Sequence, residues 1–424
     1  MPVRSALSSP RSARGRTSRL RWGMLIVLGI SSSLAAQQPD SRPGGDGSVT
    51  IRAVVAAAWQ RSAASRATEA RRELADARRD AAGGWTAAPP SLTLVHSSDR
   101  LNRNDGMREV EAELEVPLRT PGVRAAGAAT AEAEAAAFEG DLAAARLRVA
   151  AEVREAVWSL RLARNELDAN ERRVAQTEAL AADVERRVRA GDLARVDANT
   201  AHAAVLVAKA ALAEVVARVR REQGLYEALT GVVQVPADTE LPPATGDLDA
   251  HPVLIAARGT ADLARARLHE AGTATRDSPE LILGMKRERG DFGERYANTT
   301  SVGVRLPFGS DARNRPLIGA ANAELIEAET TATLQHERLN AEVEAARAEV
   351  EQARQAETFA AERARLAADS RQLLVKAFEL GQIDLPARLR AENEAFDAEL
   401  ALGRARLESG RAASRLKQAY GLLP

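Results

Sequence analysis

The chain has 424 residues, of which 45% are hydrophobic and only 3% aromatic, with 59 basic side chains against 59 acidic ones and no cysteine. A net charge of zero removes the electrostatic footprint of a nucleic-acid binder, and the missing cysteines exclude disulfides, thiolate chemistry and cysteine lipidation. Ala, Arg, Glu and Leu dominate, a composition that belongs to long helices rather than to a compact enzyme.

The first 35 residues read as a secretory signal. Arg11, Arg14, Arg16, Arg19 and Arg21 precede an apolar run from Trp22 to Ile30 and small residues up to Ala35-Ala36. Cleavage is expected after Ala35, with Ser33 at the −3 position. Beyond the signal, no stretch is expected to span a bilayer as a helix, so any membrane crossing falls to strands. A polar lead (36–48) precedes a first structural repeat over 49–231. Within it, Val49 to Asp80 is expected as one helix ended by Gly83-Gly84 and Pro89-Pro90. A β-hairpin follows over 91–117, with Asn104-Asp105-Gly106 as the turn signal. On its return strand, Val110, Ala112, Leu114 and Val116 alternate with Glu109, Glu111, Glu113 and Glu115. Period two places four carboxylates on one face and the apolar residues on the other.

From Pro121 to Pro236 there is no proline, and Leu142, Val149, Val153, Val157, Leu160, Leu167 and Val174 step by threes, fours and sevens. That is the seam of a packed helix roughly 100 Å long at 1.5 Å per residue. Gly191 breaks it, and Val196 to Leu229 returns as a second helix. A linker with three prolines (232–250) leads to a second repeat over 251–424, which contains a short helix from Val253, a β-hairpin over 280–307, a long helix after Pro316, and a return helix. Phe359, Leu366, Leu373 and Leu380 continue the heptad spacing up to Gly381, and Asp384 is placed to cap the return helix.

The two repeats are an internal duplication. Pro307 answers Pro117 (307 − 117 = 190), Gly381 answers Gly191, Ala341-Glu342-Val343 answers Ala151-Glu152-Val153, and Gly421 answers Gly231, all at one shift. The expected fold class is mostly α with a small β part: duplicated antiparallel helical hairpins plus two β-hairpins. Four amphipathic strands cannot close a barrel, because the smallest bacterial barrels have about eight. A ring of three protomers would supply twelve strands, with a tube of helices continuing the barrel.

The duplicated order, the strand ends Val-Pro-Leu and Leu-Pro-Phe, and the turn motifs Arg-Ala-Gly-Asp-Leu-Ala-Arg-Val-Asp and Leu-Gly-Gln-Ile-Asp-Leu resemble the TolC family of outer-membrane efflux ducts, over roughly Val49 to Leu423. The run from Leu306 to Pro316 is similar to the CzcC-like branch, associated with cation efflux. The resemblance implies a homotrimer whose barrel sits in outer-membrane lipid and whose helical tunnel reaches into the periplasm of a Gram-negative-type cell. It also implies docking to a periplasmic adaptor and an inner-membrane pump, usually of the resistance-nodulation-division type, with passive exit of substrates and no catalysis. Two other readings compete with it: a periplasmic adaptor, which would need a lipoyl-like β-domain on a single hairpin, and a soluble coiled-coil scaffold, which leaves the strands unexplained.

By the same resemblance, Ala190, Gly191, Asp192 and Leu193 with Leu380, Gly381, Gln382 and Ile383 form the periplasmic tips that meet the adaptor, Leu193 and Ile383 being expected as exposed contacts. The alternative for the glycines is a tight turn needing positive φ. Arg195, Asp197, Arg388 and Arg390 are candidates for a tunnel constriction. The position equivalent to Asp197 is Ala387, which departs from the family's acidic pattern, and Asp197 paired with Arg195 or Arg388 is the plain alternative. Glu109, Glu111, Glu113, Glu115 and Arg305 are candidate barrel-lumen charges, either cation-favouring or simply solvated. His96, His202, His251, His269 and His336 are scattered, so no metal site and no cofactor are expected.

Overall fold

The computed structural model describes residues 49–424; the signal expected over 1–35 and the polar lead over 36–48 fall outside the described residues. In chain order the elements are α1 (Ile51–Arg61), α2 (Ala63–Gly83), β1 (Ser91–Ser98), β2 (Arg108–Pro117), α3 (Pro121–Ala190), α4 (Arg195–Thr230), α5 (Pro252–Thr273), β3 (Glu280–Arg289), β4 (Ala297–Arg305), α6 (Asp311–Glu379) and α7 (Leu385–Ala419). The fold is mostly helical, with four antiparallel strands. With 70 and 69 residues, α3 and α6 each extend roughly 100 Å.

Two expectations on element boundaries change. The helix expected from Val49 to Asp80 is divided at Ser62, whose backbone is extended and whose hydroxyl accepts from Ser65 N–H at 3.1 Å. Ser62 closes α1 and N-caps α2, the local competition with helix that serine is suited to make. In the second copy, α6 begins five residues before Pro316 rather than after it. Pro316 lacks the N–H that would bond Ala312, but its ring is accommodated within the first two turns.

The long helices pack through small residues. A Cβ on Gly140 would lie 3.1 Å from Ala256 Cα, and one on Gly259 would lie 3.2 Å from Ala137 Cα. Helices α3 and α5 therefore approach almost backbone to backbone, which is what the alanine-rich composition permits. Larger residues fill three layers along the rod. Val54, Ala58, Val153, Val157, Leu160 and Tyr226 join α1, α3 and α4. Val343, Ala346, Val350, Ala412, Leu416 and Tyr420 join α6 and α7. Near the turns, Leu180, Ala181, Val184, Ala198, Ala201, Val205, Phe378 and Leu385 join both helical hairpins. The seam expected on α3 is buried at Leu142, Val153, Val157 and Leu160. Its counterpart on α6 is not: Phe359, Leu366, Leu373 and Leu380 are exposed by 51% to 73%.

The segment between the repeats is a strap rather than a slack linker. Arg154 of α3 is 3% exposed and grips both carboxylate oxygens of Glu240 at 2.8 Å. Glu240 also accepts from Ser414 Oγ at 2.8 Å, and that hydroxyl accepts from Trp158 Nε1 at 3.0 Å. Arg154 additionally donates to Gln418 Oε1 at 2.5 Å and to the Leu422 carbonyl at 2.9 Å. Further along the strap, Asp238 accepts from Ile51 N–H at 3.0 Å, and Tyr226 Oη donates to the Gln234 carbonyl at 2.7 Å. A buried guanidinium is tolerated here because its charge is paired and its donors are occupied.

Candidate functional site

Three features of the described chain lack an internal partner: the sheet, the outer faces of α4 and α6, and the turns at Gly191 and Gly381.

The sheet is a single layer in the order β1-β2-β3-β4, all antiparallel, so the two hairpins join through β2 and β3, and β1 and β4 are left as open edges. Alternation assigns its faces. Leu92, Leu94, Val110, Ala112, Leu114, Val116, Leu281, Leu283, Met285, Val302 and Val304 share one face. Among the described residues no helix packs on that face, and Leu92, Leu94, Met285, Val302 and Val304 are exposed by 61% to 72%. The opposite face carries Glu109, Glu111, Glu113 and Glu115 beside Glu280, Lys286, Glu288 and Arg305. Arg305 contacts Glu115 at 3.2 Å and Glu280 at 2.5 Å, and Lys286 contacts Glu109 at 3.2 Å and Glu288 at 2.8 Å. Among the described residues, Glu111 and Glu113 have no ion pair. The cross-strand partners of the glutamates are Ser91, Thr93, Val95 and Ser97 on β1. Strands of 8–10 residues with one apolar and one polar face have the length and the two-faced pattern that a membrane-spanning β-sheet requires.

At the turns, both copies close their long helix identically. Asp192 N–H reaches the Arg187 carbonyl at 2.9 Å and Gly191 N–H the Val188 carbonyl at 3.1 Å. Gln382 N–H reaches Ala377 at 2.8 Å and Gly381 N–H Phe378 at 3.1 Å. Gly191 and Gly381 sit at φ of 87° and 72°, the left-handed C-terminal cap. Among the described residues, and apart from the adjoining ones in the chain, no atom lies within 4 Å of a Cβ built on either. Ala190, Asp192 and Gln382 are exposed with them, and Leu380 is 73% exposed. Leu193 and Ile383 correct the expectation of exposed contacts: both are half-buried and pack on the apolar cluster beneath the turns. The residue that presents its side chain there instead is Val196, 65% exposed. Its position just past the cap on the outward side of α4 was the signal available in the sequence.

The four constriction candidates separate. Asp197 accepts from Ala194 N–H at 3.1 Å, capping α4 from the third helical position, and it pairs with neither Arg195 nor Arg388. The second copy performs the same task from the other side: Asp384 accepts from Ala387 N–H at 2.9 Å. Position 194 has alanine where its equivalent, 384, has aspartate; position 387 has alanine where 197 has aspartate. Each copy keeps one half of a capping pair. Arg195 and Arg390 are exposed. Arg388 lies with its guanidinium 4.9 Å from the Phe378 ring, which Arg187 flanks at 5.1 Å. Among the described residues its enclosed Nε has no hydrogen-bond partner, with Glu392 Oε1 at 4.0 Å. A charged groove of about 520 Å³ runs beside it between α3, α6 and α7, lined by Asp183, Arg371, Lys376, Glu379 and Glu392.

One expectation on membrane crossing is also corrected. Helix α4 contains an 18-residue window with no more than two charged residues, long and apolar enough by composition to span a bilayer, and only 17% of that window is buried. Its length is committed to packing along α3, and Leu206 and Val207 are left 69% and 61% exposed on its outer side.

No protein-family model matches the chain, and no curated protein matches it in sequence. Solved structures do match in fold. The outer membrane protein VceC of Vibrio cholerae superposes with a TM-score of 0.73 at 17% identity, covering 88% of this chain and 96% of that one. The CmeC outer membrane channel of Campylobacter jejuni gives 0.71 at 14% identity, covering 90% of each chain. The MtrE outer membrane channel of Neisseria gonorrhoeae, in its open state, gives 0.68 at 18% identity, covering 88% and 89%. At these identities the likeness is one of fold, and it extends over nearly the whole length of each chain.

Proposed function

We propose that this protein is a passive outer-membrane duct: three protomers close a twelve-stranded barrel, and their helices form a tunnel into the periplasm. The observation that carries the reading is the unclosed sheet. It has an apolar face, a charged face and two open edges, and open edges with a bare apolar face are not tolerated in water. Joining β4 of one protomer to β1 of the next removes both edges. The exposed stripes of α4 and α6 lie on the outermost helices of the protomer and would meet in the same ring. The fold shared with outer membrane channels supports this reading, and the N-terminal export signal supplies the route. The protein carries out no covalent chemistry.

In this assembly Glu111 and Glu113 face the lumen, because a charged side chain facing lipid at mid-depth is destabilising, by about 2–4 kcal/mol for Arg or Lys and by less for Glu. Threefold repetition produces an acidic barrel that favours cations. The tips, with Leu380, Val196, Gln382 and the charged groove beside Arg388, are the docking surface for a periplasmic adaptor that links the duct to an inner-membrane pump. Metal cations as cargo rest on the likeness of the Leu306–Pro316 run to the CzcC-like branch.

The test is insertion into planar bilayers across a salt gradient. The duct predicts stepwise conductance with a reversal potential on the cation side, moving toward zero in a Glu111→Gln/Glu113→Gln variant. A protein that fractionates as soluble and produces no steps would overturn the reading.

A further inference from the structure

The lipid-facing side of the sheet is apolar only over part of its height. Continuing outward along β3 from Leu281, Leu283 and Met285, the same face carries Arg287 and Arg289. Their rungs hold Val110 and Asn298 beside Arg287, and Arg108 beside Arg289. Both arginines lean on aromatic rings from the adjoining turn. The Arg287 guanidinium is 4.4 Å and that of Arg289 5.0 Å from the Tyr296 ring, and Arg289 is 5.6 Å from Phe292. Arg289 Nε also donates to the Gly106 carbonyl at 3.0 Å, and Phe292 N–H to the Asp105 carbonyl at 3.1 Å, so the two turns are locked together. A Cβ on Gly106, at φ 111°, would fall 2.8 Å from Phe292 Cγ. The nearby acids are turned to the backbone: Asp291 accepts from Gly293 N–H at 2.7 Å and Glu294 from Gly290 N–H at 2.5 Å. Among the described residues neither Arg287 nor Arg289 is ion-paired with a carboxylate.

We infer that Arg287 and Arg289, held by Tyr296 and Phe292, form a binding site for the phosphate of an anionic lipid headgroup in the outer leaflet. The inference rests on the outer-membrane reading above. Two guanidiniums on a lipid-facing surface are stable only where their charge meets headgroups. Strands of this length, tilted as in a barrel, place Arg287 and Arg289 roughly 15–20 Å from the helix end, in the outer part of an apolar band about 25 Å tall, within reach of headgroups for an extended arginine. The helix end is itself marked by exposed Trp85, on which Arg124 stacks at 3.9 Å, and by exposed Phe308. Guanidinium is the group suited to bidentate phosphate binding, and the cation–π contacts fix its direction at little entropic cost. The site takes the place of the outer aromatic girdle that this chain is too poor in Trp and Tyr to build.

The test uses full-length protein extracted from membranes, as wild type, Arg287→Gln/Arg289→Gln and Tyr296→Leu. Each is mixed with bisphosphorylated lipid A, with the same glycolipid dephosphorylated, or with inorganic phosphate, and retained lipid and thermal midpoint are measured. Wild type should retain the phosphorylated lipid and gain thermal stability. The dephosphorylated lipid and phosphate alone should do neither. Each arginine removed should weaken retention about fivefold, and Tyr296→Leu should weaken it less. Equal retention by the double variant, equal retention of dephosphorylated lipid, or the same stabilisation by phosphate alone would overturn the site. Wild type absent from the membrane fraction would overturn the duct and this inference together. A double variant that inserts and conducts normally while retaining lipid as wild type does would overturn the lipid site alone.

Discussion

Arg154 and Glu240 are each 4% exposed at the side chain and hold one another in the middle of the rod. Removing one member strands the other. Arg154→Ala is expected to cost about 3–5 kcal/mol, and Arg154→Met with Glu240→Leu less than Arg154→Ala alone, both read as shifts in the denaturant midpoint of the detergent-solubilised protein. Acid acts on the same region. Burial alone would raise Glu240 and Glu155, but hydrogen bonds from Arg154 to the first, and from Arg411 and Arg415 to the second, outweigh it and hold both carboxyls below the usual range. Their contribution to stability is complete above the unfolded value of about 4.3 and is lost as pH falls through the lower folded values. His251, buried at the N-cap of α5, is lowered mainly by burial. Its protonation favours the unfolded chain as pH drops below about 6.5. The thermal midpoint should therefore fall in two stages on acidification. His251→Gln should flatten the first, and a profile unchanged by that substitution would contradict the assignment.

At the scale of the element, Gly191 and Gly381 test what the turns require. Each has positive φ and open space around it, so Gly→Ala at either should cost only the backbone term, about 1–2 kcal/mol. Gly421→Ala should cost more, because a Cβ there would lie 2.6 Å from Pro252 Cδ. The exposed heptad of α6 makes the opposite kind of prediction. Leu366→Asp with Leu373→Asp should leave the circular-dichroism helicity of the chain intact and abolish its oligomer, as seen by crosslinking; loss of helicity would instead show that these leucines pack within the protomer. Much at this scale was legible in sequence. Proline and glycine mark physical limits of strand and helix and aspartate caps helix starts, so Pro117, Gly191 and Asp384 lie where β2 and α3 end and α7 begins. The break at Ser62 was hidden because one serine between two good helices is weak punctuation. Heptad spacing on α6 foretold a seam but not which surface covers it, because periodicity records a face and says nothing of its partner.

Across the whole molecule, the duplication predicted the architecture better than it predicted the candidate site. A constant shift of 190 residues carries equivalent backbone geometry into both copies, down to the paired hydrogen bonds at Asp192 and Gln382. Side chains inside that geometry have diverged: Asp197 and Asp384 cap equivalent helices from different positions, and Arg388 lies against the Phe378 ring. The role of the 232–250 strap depends on contacts distant in sequence, as from Ile51 to Asp238 across 187 residues and from Ser414 to Glu240 across 174, and no local pattern announces them. The central claim concerns closure of the sheet, so the most direct measurement is the native mass of the particle extracted from outer membranes in mild detergent, with a cysteine pair engineered across β1 and β4 as a reporter. The duct predicts a particle of three copies and an intermolecular disulfide that links them into a closed ring. A single-copy particle without that crosslink would contradict it.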